Sequence, residues 1–190
     1  MRQLIVLSAV VIILLSGLTG CQQNAQSPDV PSKVNVAGGG EFPKSLAGTW
    51  LCEEQGLEIV LEPNGTIASA IMPFGKLKMR SGETIKINRP EVKDKGVFQA
   101  GPWSVNYEPA SGELTVELSL KSYRAQIAGI VLEGETRDIF TGKVSQDTGV
   151  WQAEWFSFHT SNDELSSGLP AIDPNNSPMP DVIFRKTASQ

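Results

Sequence analysis

Histidine is nearly missing from this chain: His159 stands alone among 190 residues, and cysteine occurs only at positions 21 and 52. Metal centres and nucleophilic sites draw heavily on these two side chains at close spacing, and one imidazole with two distant thiols offers no such set. A Gly-x-Ser-x-Gly elbow and a phosphate loop are also absent. The acids of "SNDE" (161–164) lack the alternation and closing glutamate of a calcium loop. An excess of one charge is lacking too, with 16 Lys+Arg against 21 Asp+Glu, well mixed along the chain. That balance argues against nucleic acid binding and against general adhesion to anionic lipid. Helix signals are scarce, and after residue 20 no apolar run approaches the length needed to span a bilayer. Nothing here calls for a cofactor or a metal, and the expectation is a protein that is not an enzyme.

What the chain does have begins at its N-terminus. Arg2 supplies a positive n-region, Leu4 to Leu15 an apolar h-region, and Ser16, Gly17, Thr19 and Gly20 a stretch of small residues before Cys21. This is the layout of a secretory signal over residues 1–20. The tetrapeptide Leu18-Thr19-Gly20-Cys21 resembles the lipobox of bacterial lipoproteins. The resemblance implies that Cys21 receives a diacylglycerol on sulfur, that the signal is cut before it, and that the new amino group is acylated. Removing residues 1–20 takes away Arg2 alone, leaving 15 basic against 21 acidic residues, a net charge of −6. Membrane attachment then rests on the acyl chains. Gln22, where Gram-negative lipoproteins retained in the inner membrane tend to have aspartate, implies the outer membrane, facing the periplasm. Cys52 is left without a partner and reads as a small core residue.

Residues 21–44 are rich in Gln, Asn, Ser, Pro and Gly and read as a flexible tether, with Gly38-Gly39-Gly40 as its joint. Residues 45–190 read as one folded domain made of about nine or ten strands. In "LEIVLEPNGTIASAIM", the loop Pro63-Asn64-Gly65 sets Leu61 opposite Ile67 and Leu57 opposite Ile71. In "WSVNYEPASGELTVELSL", Tyr107 meets Leu114, Val105 meets Val116 and Trp103 meets Leu118. In "DIFTGKVSQDTGVWQAEWF", Val144 meets Trp151 and Phe140 meets Trp155, with Gly142 opposite Ala153 between them. "KLKMRSGETIKI" reads as a fourth hairpin with Leu77 against Ile87, and "YRAQIAGIVLEG" as a strand bent at Gly129. A meander of this length closes into a small antiparallel barrel or splits into a β-sandwich. Pairing "VIFRKT" with "GTWLC" would remove two edges at once.

Gly48-Thr49-Trp50, followed by a strand, a Pro-Asn-Gly turn and a meander, resembles the lipocalin-like or calycin barrels. The resemblance implies that Trp50 plugs one end of an up-and-down barrel and that Arg185 packs on it in a cation–π contact. Trp103, Tyr107, Phe140, Trp151 and Trp155 share the inward face of the hairpins. They make either a filled barrel core or the aromatic walls of an apolar pocket. His159 reads as a strand-end residue near solvent, and the segment Thr160–Asp181 as a lid or contact loop. Two functions follow. One is an envelope lipoprotein that binds a small apolar or amphipathic ligand. The other is an inhibitor or assembly factor acting through the long loop.

Replacing Cys21 separates the anchor from every other property. Cells fed labelled palmitate should incorporate it into the wild-type chain and into Cys52→Ala, while Cys21→Ala takes up none and keeps residues 1–20.

Overall fold

In the computed structural model, residues 30–90, 94–127, 130–161 and 181–187 are described. The expected signal and the lipobox, and all but the ends of the Thr160–Asp181 loop, lie outside them. Twelve strands form one mixed sheet: β1 Lys33–Val36, β2 Gly48–Cys52, β3 Leu57–Leu61, β4 Ile67–Ile71, β5 Lys78–Met79, β6 Thr84–Arg89, β7 Asp94–Ala100, β8 Ser104–Glu108, β9 Glu113–Ile127, β10 Ile130–Ser145, β11 Val150–Ser161 and β12 Val182–Lys186. Their pairing order is β1-β8-β9-β10-β11-β12-β2-β3-β4-β5, with β7 on the far half of β9 and β6 on β7. Among the described strands, only β1 and β8 run parallel. The chain is therefore all-β.

Turn chemistry explains the hairpins. Gly65 takes φ 85° and donates its N–H to the Glu62 carbonyl, while the Asn64 side chain accepts from the Thr66 N–H. Gly112 and Gly149, at φ 69° and 62°, close the β8–β9 and β10–β11 turns in the same way. The resulting registers place Tyr107 opposite Leu114, Val105 opposite Val116, Val144 opposite Trp151 and Phe140 opposite Trp155, as the alternation implies. The last strand does pair with "GTWLC", through Arg185–Leu51 and Lys186–Trp50.

Closure fails elsewhere, and the antiparallel barrel expected from the meander is corrected here. The ladder path ends at β5 on one side and β1 on the other. Between β4 and β1 the junction is a side-chain bond, the Ile67 N–H donating to Ser32 Oγ at 2.6 Å. The tether expected over 21–44 also enters the fold well before residue 44. Strand β1 pairs with β8, Phe42 and Leu46 are buried, and Phe42 and Val34 pack so closely on Gly65 that a Cβ there would overlap them.

Other differences have local causes. A bulge between Val60 and Leu61 keeps Leu61 opposite Ile67 but sets Ile59 opposite Ala70. It turns Ala70 and Met72 inward, so Ile71 does not face Leu57. Strands β5 and β6 do not pair: β5 joins β4, and β6 joins β7 with Ile87 opposite Gly96. "YRAQIAGIVLEG" is two strands rather than one, the end of β9 and the start of β10, with Ile127 opposite Ile130.

One apolar core runs through the sheet. Trp50 packs edge-on to Trp151 at 6.3 Å between ring centroids, Trp151 stacks on Phe184 at 4.8 Å, and Phe184 meets Phe140 edge-on at 5.4 Å. Phe140 stacks on Trp155 at 5.7 Å. Cys52 is buried and unpaired. The cation beside Trp50 in the ladder is Lys186, not Arg185. Alternation sends Arg185 to the exposed face, and Lys186 runs past Gly48 to donate to the Ser45 carbonyl at 2.7 Å. Arg185, expected on Trp50, therefore lies on the opposite face of the strand.

Gly142 tests this packing. An added Cβ would overlap the Gln152 carbonyl oxygen and lie 3.0 Å from Ala153 Cα. Gly142→Ala should lower the unfolding free energy by about 2–3 kcal/mol in urea titrations, whereas Gly40→Ala should stay within about 0.5 kcal/mol of wild type. At Gly40 the nearest atom is 3.9 Å away.

Candidate functional site

The inner face of the β10–β11 ladder changes character over three rungs. Phe140–Trp155 is apolar, Asp138–Ser157 comes next, and Thr136–His159 follows toward the end of β11. Period-two alternation keeps all six side chains on one face. Tyr123, on β9 opposite Gly134, joins them from the other side. Its hydroxyl lies 2.7 Å from His159 Nε2. From the loop between β4 and β5, Phe74 leans over the group, its ring 4.4 Å from Tyr123 and 5.5 Å from His159. Phe98 stacks on Tyr123 from β7 at 6.4 Å. Lys76, at φ 51°, ends that loop with its ammonium on the Gln55 carbonyl at 2.6 Å. A non-glycine residue in the left-handed region is uncommon, and the lysine contact holds it there.

Asp138 is the centre of the arrangement. Only 1% of it is exposed. Oδ1 accepts the Trp155 indole N–H at 3.0 Å, while Oδ2 has no hydrogen-bond partner among the described residues. Burial raises its pKa above the ordinary carboxylate value. The neighbouring Ser157 hydroxyl and the Trp155 N–H, then the charges of His159 and Lys76, oppose that rise without cancelling it. Thr136, also buried, leaves its Oγ1 unpartnered two residues away. Unmet polar atoms in a buried strand cost about 1–3 kcal/mol each; this face has three, Trp151 Nε1 within the ring column and Oδ2 and Oγ1 side by side along β10, and the latter two mark a place where stability is given up. Chemically, the face offers a carboxyl whose burial raises its pKa, a hydroxyl, an imidazole–phenol pair and aromatic rings.

The five aromatic residues expected to wall a pocket are buried, and those with ring contacts pack on one another or on other core rings. The Trp103 indole donates to the Ser119 carbonyl, and Tyr107 accepts from Gln146. Phe140 and Trp151 are held between neighbouring rings. Only Trp155 reaches the polar rungs, through its indole N–H. His159 sits at the exposed end of its strand, as its position implies. Sequence reasoning missed Asp138, Thr136, Tyr123 and Phe74. The signal for Asp138 was there: it shares the inward parity of Phe140, an acid on the apolar phase of a strand.

Among the described residues, no three His, Cys, Asp or Glu side chains converge as a metal site. No protein-family model matches the chain, and no curated protein or solved structure does.

The raised carboxyl fixes a sign. Unfolded, Asp138 ionises in the ordinary range; folded, it holds its proton to higher pH. Folded stability therefore falls as pH rises from that range through the folded pKa, and is level above it. Asp138→Asn removes this loss. Thermal melts should show the variant gaining on wild type across that window, with a constant difference above it; a difference constant at every pH would contradict the assignment.

Proposed function

We propose that this protein is a lipid-anchored, non-enzymatic binding module of the bacterial envelope. Its sheet is read as a lipocalin-like barrel left open at the seam between β1 and β4, facing the periplasm from the outer membrane. The ligand is small and amphipathic. It is held at the Asp138–His159 end and not among the core aromatics, which already fill one another's space.

The observation that carries this reading is the unpartnered Oδ2 of buried Asp138, with Thr136 Oγ1 beside it, beneath Phe74, Tyr123 and His159. A ligand hydroxyl or amino group would complete both polar atoms, and its apolar portion would lie along the Phe74, Phe98 and Tyr123 rings. Binding of this kind needs no reaction. It uses preformed polar groups beside apolar rings, the usual composition of small-molecule sites.

The lipoprotein released in mild detergent from its own envelope should carry an adduct of lipid or metabolite mass in native mass spectrometry. Asp138→Asn should cut occupancy about tenfold or more, the loss expected when one buried hydrogen bond goes unmade, and Phe74→Ala should cut it comparably by removing a ring from the apolar contact. Far-ultraviolet circular dichroism should stay unchanged. A bare mass after lipid and metabolite extracts have been offered would overturn the proposal, as would an adduct that both variants retain.

A further inference from the structure

The arm of β6, β7, β9 and β10 carries a second surface, on the face turned away from Asp138. Two adjacent rows of outward side chains cross it. One is Lys86–Val97–Arg124–Glu133 and the next is Asn88–Lys95–Gln126–Val131. They line a groove of about 390 Å³. Val97 is 43% exposed and Val131 38%. Val97 stands between Lys86 and Arg124 in its row, and Lys95 and Gln126 lead to Val131 in the next, two exposed valines beside local positive charge in a chain that is otherwise acidic and mixed. Arg124 is paired with Glu133 at 2.9 Å, which leaves Lys86 and Lys95 as the exposed positive charge of the groove.

The attachment point adds direction. Val30, a third exposed valine at 45%, lies against Gly82, two residues before β6 begins. Nine chain steps separate Val30 from Cys21 and span at most about 30 Å. From Gly82 the groove is about 13 Å along β6 and about 14 Å across the strands, by standard strand rise and spacing. A bilayer holding lipid on Cys21 therefore lies within reach of this face. Net charge argues against adhesion by the molecule as a whole, so a side resting on anionic headgroups has to be a locally cationic one.

We propose that the outer face of this arm docks on the surface of an anionic bilayer, with Val97 and Val131 seated at the headgroup boundary and Lys86 and Lys95 against phosphate groups. The proposal rests on lipidation of Cys21 to bring the face to the membrane. It assigns the domain an orientation, with the β6–β10 arm down.

Site-directed spin labels test it in the full lipidated chain. A nitroxide on Val131→Cys, with one on Ile183→Cys as the control, is read in vesicles of phosphatidylethanolamine and phosphatidylglycerol and in vesicles of phosphatidylcholine. Ile183 is 42% exposed on β12, outside this face. Docking predicts that the Val131 label is shielded from a water-soluble nickel relaxant in the anionic vesicles only. Lys86→Glu with Lys95→Glu should remove that shielding by about tenfold or more, and salt at about 1 M should weaken it. Equal exposure of the two labels in anionic vesicles would overturn the proposal, as would shielding that ignores charge or appears only as the chain self-associates. Flotation reads the anchor separately. A chain that fails to float has lost the Cys21 premise, while one that floats with Val131 exposed has lost only the docking face. Should the chain not float, adding it in excess to preformed anionic vesicles still decides the matter by the same label.

Discussion

A column of rings holds this molecule together. Trp50, Trp151, Phe184, Phe140 and Trp155 touch in succession across β2, β11, β12 and β10, so the first antiparallel strand, the last strand and the central hairpin share one set of contacts. Each aromatic pair adds about 0.5–1.5 kcal/mol beyond the area it buries. Four pairs therefore carry about 2–6 kcal/mol, a large part of the 5–15 kcal/mol that separates a folded domain from its unfolded chain. The column also sets the position of Asp138. The Trp155 indole that ends it is the group bonded to the carboxyl, so the acid is held by the same stack that closes β2 against β12.

Local chemistry was the legible part of this fold. Pro63-Asn64-Gly65 and the glycines at 112 and 149 name their turns, and the turn then fixes the facing pairs, as Val105–Val116 and Phe140–Trp155 illustrate. Most features that depend on distant chain were illegible, the β2–β12 pairing being the exception. The Val60–Leu61 bulge leaves no mark in the hydrophobic pattern, because Ile71 and Ala70 both suit a strand. The pairing of β6 with β7 rather than β5 turns on which neighbour covers Ile85 and Phe98. A Gly- and Pro-rich stretch that composition assigns to a tether becomes strand β1 because β8 offers it a free edge. For Arg185 and Lys186 the difference between inside and outside is a single residue of parity.

The candidate site follows the same division. His159 could be placed from its strand, and Trp155 from its hairpin, but neither suggested a site alone. What makes one is the polar change along a single face, from Phe140 through Asp138 to Thr136, together with a loop residue, Phe74, from an unrelated part of the chain. Stability and recognition pull in opposite directions along that face. Its lower end is packed ring on ring, and its upper end leaves Oδ2 and Oγ1 without partners among the described residues.

Strand β1 sets an order of assembly. A parallel pair cannot be made by a tight turn, and Lys33 meets Ser104 only after some seventy residues of intervening chain. Synthesis runs from the N-terminus, so residues 33–36 emerge first and wait while β2 to β7 are made. Their neighbours at Ser32–Ile67 and Val34–Gly65 come sooner, but these are side-chain contacts and fix no register. The beginning of the folded chain is thereby among the last pieces to lock. Residues 33–36 lack their backbone partner until β8 exists to receive them.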